Sequence, residues 1–162
     1  RRLGQYRDDV QGYLEAQLVA GVNIFDRGYK QVPGSDPVKF NTAYDRALEA
    51  MLQKMSDELL DDIPALRFAL LVDENGYAPT HNRKFAQPPT GDRAKDLLTS
   101  RDKRIFDDDT AINAARSQEP FLLQTYLRDT GELLNDASMP VFVNGRHWGA
   151  VRVGIDPESL SK

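Results

Sequence analysis

The chain has 162 residues, with 25 acidic against 21 basic side chains, 40% apolar residues and no cysteine. A chain of this length can bury roughly 70% of its extended surface as one domain, so its stability requires neither disulfides nor structural metal. The absence of cysteine excludes thiol nucleophiles, zinc fingers, iron–sulfur centres and covalently attached c-type haem.

Two amphipathic helices are predicted within the first 64 residues. The first covers about residues 2–20, because apolar residues recur there at steps of three and four: Leu3, Tyr6, Val10, Tyr13, Leu14 and Leu18. A loop rich in Gly and Pro follows over 26–35. The second helix is predicted to begin at Asp36-Pro37, which suits a cap and a first turn, and to end at Pro64. The sequence starts inside a helical pattern without a signal peptide, so we expect it to be part of a longer protein.

The periodicity changes after residue 64 and predicts strands. Residues 67–72 form a short apolar run, and the longest unbroken apolar stretch, Phe68 to Val72, is too short for a membrane helix. The Asn75-Gly76 pair that follows is typical of a tight hairpin, so a second strand is expected over 77–80.

The remainder predicts an irregular crossover and a three-stranded meander. Residues 81–120 lack a long period but contain two short helix patterns, at 92–99 and 107–116. The meander strands are expected at 121–128, 133–143 and 146–155. The predicted fold class is therefore α+β, with long N-terminal helices packed on a roughly five-stranded antiparallel sheet.

Positive charge is concentrated in the crossover. Residues 81–104 hold seven basic and three acidic side chains, whereas the segments before and after are net acidic. Such an island can attract a small anion. The acidic surroundings argue against nucleic acid, whose phosphates most of the surface would repel.

Arginine and aromatic residues around the crossover form the candidate site. A guanidinium presents a rigid fork of donors that matches a carboxylate or phosphate, and neighbouring aromatic rings supply apolar walls. A purely structural alternative is also open. In that case Arg104 or Arg128 pairs with an acidic residue and ties the crossover to the sheet; the candidates are Asp107, Asp108, Asp129 and Asp136.

An enzyme, a metal site and a cofactor are not expected. The two histidines, His81 and His147, lie far apart without cysteines, and no hydrolase, zincin or phosphate-loop motif occurs. No nucleophile–base pair can be identified from the spacing.

Five motifs in order resemble the sensor region of bacterial methyl-accepting chemotaxis receptors, of the PAS-like or single-Cache type. They are Asn75-Gly76-Tyr77, Thr80-His81-Asn82-Arg83-Lys84-Phe85, Lys103-Arg104-Ile105-Phe106-Asp107-Asp108, Pro120-Phe121-Leu122-Leu123-Gln124-Thr125-Tyr126 with Arg128-Asp129, and Asn144-Gly145-Arg146-His147-Trp148-Gly149. The resemblance covers residues 68–155 closely and 22–64 more loosely.

The resemblance implies a sensory ligand-binding domain of a chemotaxis-type transducer. The domain would span 1–162, with helices over 1–64, a sheet with crossover over 65–155, and an exit over 156–162 toward an output module. It would form a homodimer through its N-terminal helices and act on chemotaxis signalling proteins. A small, anionic ligand would lie between sheet and crossover, against His81, Asn82, Arg101, Arg104, Phe106, Tyr126, Arg128 and Trp148.

Two other functions and two locations stay open at this point. The chain could be a dimerisation or relay module that binds nothing, or a sensor that holds haem through His81 or His147. We expect the cytoplasmic side of a receptor, with or without a membrane anchor, and a periplasmic sensor domain is the alternative.

Overall fold

An antiparallel sheet carries two long helices on one face and an irregular crossover on the other. The computed structural model describes residues 2–127 and 131–157. The helices are α1 (Arg2–Val19), α2 (Asp45–Asp62), α3 (Arg93–Thr99) and α4 (Asp109–Arg116), with a 3-10 turn at Arg83–Phe85. The strands are β1 (Lys30–Gln31), β2 (Phe40–Asn41), β3 (Leu66–Asp73), β4 (Leu122–Leu127), β5 (Leu133–Val143) and β6 (Arg146–Ile155).

The α+β fold class is confirmed. Within the described ranges the main sheet has four strands rather than about five, in the order β3-β6-β5-β4, and every neighbouring pair is antiparallel. The strands β1 and β2 form a separate two-residue ladder. No helix in 2–127 or 131–157 combines the length and apolar character needed to cross a bilayer.

The stripe predicted on α1 faces the core of its own chain. Tyr6, Val10 and Leu14 are fully buried, and α1 packs against β5 and α2. The predicted helix is therefore confirmed. Since this stripe is already covered, pairing of α1 with a second copy would have to use its other faces.

The second helix begins nine residues later than predicted. Residues 40–41 instead pair with Lys30–Gln31, and the N–H of Phe40 donates to the carbonyl of Lys103 at 2.8 Å. The Asp45 carboxylate then accepts from the N–H and hydroxyl of Thr42, at 3.0 and 2.7 Å. These contacts bind the segment before Asp45 in an extended path, so the helix begins only at that residue.

The predicted second hairpin strand at 77–80 is wrong. The turn forms, with Gly76 at φ +85°, but Tyr77 makes an isolated bridge to Ile105 instead of a ladder with β3. Part of the outer edge of β3 is covered by a side chain, because Asn82 Oδ1 accepts from the N–H of Ala69 at 2.8 Å. The chain thus leaves the sheet at the turn and pairs with the crossover.

The later elements agree with the sequence. Asp92 and Asp108 cap α3 and α4 by accepting from N–H groups three residues on. The meander strands lie within about a residue of their predicted ends, and Asn144 and Gly145 both adopt positive φ in the β5–β6 turn. Two predictions fall outside the described residues: the position of Arg128, and the exit segment from residue 158 onward.

Candidate functional site

A cleft of about 410 Å³ lies between the sheet and the crossover. Alternation along the strands sends one set of side chains toward α1 and α2 and the other toward this cleft. The described lining residues are Phe68 and Leu70 of β3, Arg152 of β6, Tyr126 and Leu127 of β4, His81, and Arg101, Arg104, Ile105, Phe106, Asp107 and Asp108 of the crossover. Cleft volumes of roughly 300–1,000 Å³ are typical of small-molecule sites.

Backbone hydrogen bonds hold the crossover over the cleft. Lys103 N–H donates to the carbonyl of Ala78 at 2.7 Å, and Ala78 N–H donates to that of Arg104 at 3.0 Å. Phe106 N–H donates to the carbonyl of Gly76 at 2.9 Å. A Cβ at Gly76 would overlap the Phe106 carbonyl oxygen, so only glycine allows this approach. The roof of the cleft is therefore fixed at the segment that carries its arginines.

Two guanidinium groups share one aromatic ring in the roof. The Cζ atoms of Arg101 and Arg104 lie 5.1 and 4.9 Å from the ring centroid of Phe106. Arg101 is buried, and its Nη1 donates to the carbonyl of Leu97 at 2.6 Å. A ring in this position favours both cations without neutralising either. The arrangement concentrates positive charge beside an apolar wall.

Arg152 of β6 contributes a third guanidinium, on the sheet side of the cleft. Arg152 lies opposite Leu70 on β3 and Ser138 on β5. Its Nε and Nη2 both donate to Oδ2 of Asp136, at 3.0 and 2.8 Å. The side chains of Arg152 and Asp136 are only 4% and 0% exposed, so the pair is a buried one. Burial raises the pKa of Asp136, and Arg152 opposes that shift.

The acidic residues among the described lining, Asp107 and Asp108, are exposed to solvent. Asp108 also caps α4, where its Oδ2 accepts from the N–H of Ala111 at 3.3 Å. Solvent screens their charge more than it screens the buried guanidinium of Arg101.

The structure brings most of the predicted site residues to this cleft. The lining includes His81, Arg101, Arg104, Phe106 and Tyr126. Asn82 does not line it: the side chain is fully buried, with Oδ1 bonded to Ala69 and Nδ2 donating to Asp57 at 3.1 Å. Its role in the fold is to connect β3 with α2.

Trp148 lies on the opposite face of the sheet. A register shift between Val141 and Phe142 leaves Trp148 without a cross-strand partner and interrupts the alternation of β6. Its indole Nε1 donates to the carbonyl of Ile24 at 2.7 Å, and the Cζ of Arg27 lies 4.9 Å from its ring. The bulge therefore removes Trp148 from the cleft that strict alternation from Arg152 would have given it.

Sequence reasoning missed Arg152 and offered Asp136 only as one of four candidate partners of Arg104 or Arg128. Both interrupt apolar strands: Arg152 lies between Val151 and Val153, and Asp136 precedes Ala137. A charged residue within a strand that is otherwise buried requires a partner. That rule would have paired the two residues on adjacent strands of the predicted meander.

His81 does not fit an axial haem ligand in its observed orientation. The ring is 2% exposed, and its Nδ1 accepts from the N–H of Asn82 at 2.8 Å. A neutral imidazole that accepts at Nδ1 carries its proton on Nε2, the atom that would have to bind iron. His147 packs against Phe142 and is not among the lining residues of the cleft. The described residues thus give no support to the haem alternative.

No model of a known protein family matches the chain, and neither does any curated protein. Among solved structures, the chain is similar to an extracellular ligand-binding receptor from Desulfohalobium retbaense, with 16% identity and a TM-score of 0.44 over 96% of this chain and 24% of that one. It is also similar to the ligand-binding domain of Mlp24 with asparagine, with 14% identity and a TM-score of 0.45 over 72% of this chain and 44% of that one.

A third similar structure is the extracellular domain of the putative histidine kinase vpHK1S-Z8. It shares 15% identity with a TM-score of 0.45 over 98% of this chain and 56% of that one. The chain therefore spans between about a quarter and somewhat over half of the solved chains it matches. Two of the three are described as extracellular, which contradicts the cytoplasmic location expected from the sequence.

Proposed function

We propose that this chain is the sensory domain of a chemotaxis-type signal transducer and binds a small anionic ligand in the cleft. The observation that carries the proposal is the convergence of Arg101, Arg104 and Arg152 on one cleft with apolar walls. Guanidinium groups bind carboxylate or phosphate oxygens with charge-assisted hydrogen bonds, and the walls exclude the water that would compete for them.

The lining favours binding over catalysis. The described lining residues include no Ser, Thr, Cys or Lys, and the two carboxylates among them, Asp107 and Asp108, are exposed to solvent. The one histidine among them uses Nδ1 within the fold. A relay module without ligand would be expected to fill this space with its own side chains, and the cleft of about 410 Å³ favours a ligand-binding domain instead.

Signalling would follow from a population shift. The crossover that carries Arg101 and Arg104 is bonded to the turn after β3 and leads into α4. A ligand that prefers one crossover position by ~1–3 kcal/mol would bias the rest of the domain by the same amount. Pairing with a second copy and contact with an output module on the same polypeptide belong to this proposal.

A thermal-shift screen tests the function. The panel contains carboxylates, phosphates, amino acids and purines, each with a neutral amide or ester analogue where one exists. An anion present at 100 times its dissociation constant should stabilise the fold by about 2.7 kcal/mol, which raises Tm by roughly 5–10 °C in a domain of this size. Stabilisation by the anion and not by its neutral analogue is expected. No shift with any member of the panel would refute the proposal.

A further inference from the structure

In the buried pair of Arg152 and Asp136, only one of the two carboxylate oxygens is hydrogen-bonded to Arg152. Both donors of Arg152 converge on Oδ2 of Asp136, while Oδ1 is buried and accepts no hydrogen bond from any described residue. An ionised carboxylate is stable in a fold when both of its oxygens are solvated or bonded. The surroundings of Asp136 therefore favour its neutral form more than solvent favours the neutral form of a surface carboxylate.

The groups that face Asp136 come from three elements. Arg152 on β6 favours the ionised form, and Asp108 at the N-terminus of α4 disfavours it. Tyr126 of β4 adjoins the same pair through its interaction with Arg152. Burial is the largest influence, and it raises the pKa of Asp136 above its ordinary value. Asp136 is thus protonated at a higher pH than an ordinary aspartate.

Arg152 belongs at once to this pair and to the cleft lining. A bound anion and the Asp136 carboxylate would compete for the same guanidinium, and two negative charges on one cation raise the proton affinity of the weaker acid. We propose that binding of an anion beside Arg152 is coupled to the uptake of one proton by Asp136. This inference rests on the proposed function, since it describes the regulation of the same cleft.

Protonation of Asp136 and binding of the anion should favour each other. A proton on Asp136 removes the competing charge, so affinity for the anion increases as pH falls. By linkage, full uptake of one proton increases the affinity by about tenfold for each pH unit. The slope disappears where Asp136 is already protonated in the free protein.

The experiment titrates the protein with sulfate and with methanesulfonate, anions that do not themselves ionise between pH 5 and 8. Calorimetry in cationic buffers of different ionisation enthalpy, imidazole, Bis-Tris and Tris, measures the number of protons taken up. We expect uptake of up to one proton and affinity that rises toward low pH. Binding with no uptake and no slope overturns the coupling but leaves the proposed function. Failure of both probes to bind at any pH also overturns the coupling, and the proposed function falls with it only if the thermal-shift screen shows no stabilising anion.

Two variants test whether Asp136 is the group that takes up the proton. Asp136→Asn keeps an oxygen facing Arg152 but cannot ionise, so its affinity should be independent of pH and exceed that of the wild type at pH 8. Asp61→Asn, which removes an exposed carboxylate of α2 away from the cleft, should keep the slope. A slope that survives in Asp136→Asn overturns the assignment. The wild-type proton count decides the coupling even if Asp136→Asn fails to fold.

Discussion

Replacement of Arg152 by Met should destabilise the domain by about 3–5 kcal/mol at pH 8, because it leaves Asp136 as a buried charge without its partner. The side chain of Asp136 is 0% exposed, and Arg152 donates both of the hydrogen bonds that its carboxylate accepts from described side chains. For a domain of this size the loss corresponds to a decrease in Tm of roughly 6–20 °C. Thermal unfolding followed by circular dichroism measures it.

The defect of Arg152→Met should depend on pH with a definite sign. Burial already raises the pKa of Asp136, and loss of Arg152 raises it further. A carboxyl whose pKa is raised by folding makes the fold less stable as pH rises from the ordinary value through the raised one. The variant should therefore recover toward wild-type stability as pH falls toward the ordinary pKa of an aspartate.

A double variant separates the lost charge pair from lost packing. Arg152→Met with Asp136→Leu removes both charges from the interior, and such replacements are often neutral or stabilising. We expect the double variant to regain most of the stability at pH 8. An Arg152→Met protein as stable as the wild type at pH 8 would show that the pair does not form.

Arg104→Ala should weaken binding of the anion found by thermal shift by about 10- to 150-fold, the equivalent of a charge-assisted hydrogen bond worth ~1.5–3 kcal/mol. The guanidinium of Arg104 lies in the cleft beside the ring of Phe106. The backbone carbonyl of Arg104 still accepts from Ala78, so the crossover keeps its path in the variant. Calorimetric titration at fixed pH gives the affinity.

The matched control is Arg46→Ala. Arg46 lies on α2 and is exposed, so this change alters the net charge equally without touching the cleft. Its affinity should match that of the wild type. Equal affinity in Arg104→Ala and Arg46→Ala would mean that the anion binds elsewhere or responds only to overall charge.

The sequence predicted those elements whose signals are local. The buried stripe of α1, the capping residues Asp92 and Asp108, and the Asn144-Gly145 turn each act within a few residues of themselves. Period and cap chemistry therefore suffice to locate α1, α3, α4 and the meander. The α+β class follows from that order of elements.

The errors have a non-local cause. The late start of α2 and the loss of the strand at 77–80 both arise from pairing with the crossover, which no local pattern encodes: Phe40 and Ala78 bond to residues 103–104. The family resemblance implies a place in the cleft for Trp148, but a bulge in β6 turns its side chain to the opposite face of the sheet. Such events depend on tertiary contacts that override local preference.

The prediction of the site residues was also limited to those that local sequence features indicate. Residues clustered along the crossover were placed in the cleft correctly, because one basic, aromatic segment carries Arg101, Arg104 and Phe106. Asn82 belongs to the same motif but is used to bond β3 and Asp57. Arg152 was overlooked because it is isolated within an apolar strand, where only its pairing with Asp136 reveals it.

The most direct measurement is an NMR titration of the 15N-labelled protein with the stabilising anion, which follows the guanidinium Nε–H signals of arginine and the indole N–H of Trp148. We predict shifts for Arg101, Arg104 and Arg152, which line the cleft, and none for the indole, which bonds to Ile24 on the opposite face. Shifts confined to the indole and the helix-covered face, with the three arginines unchanged, would contradict the account.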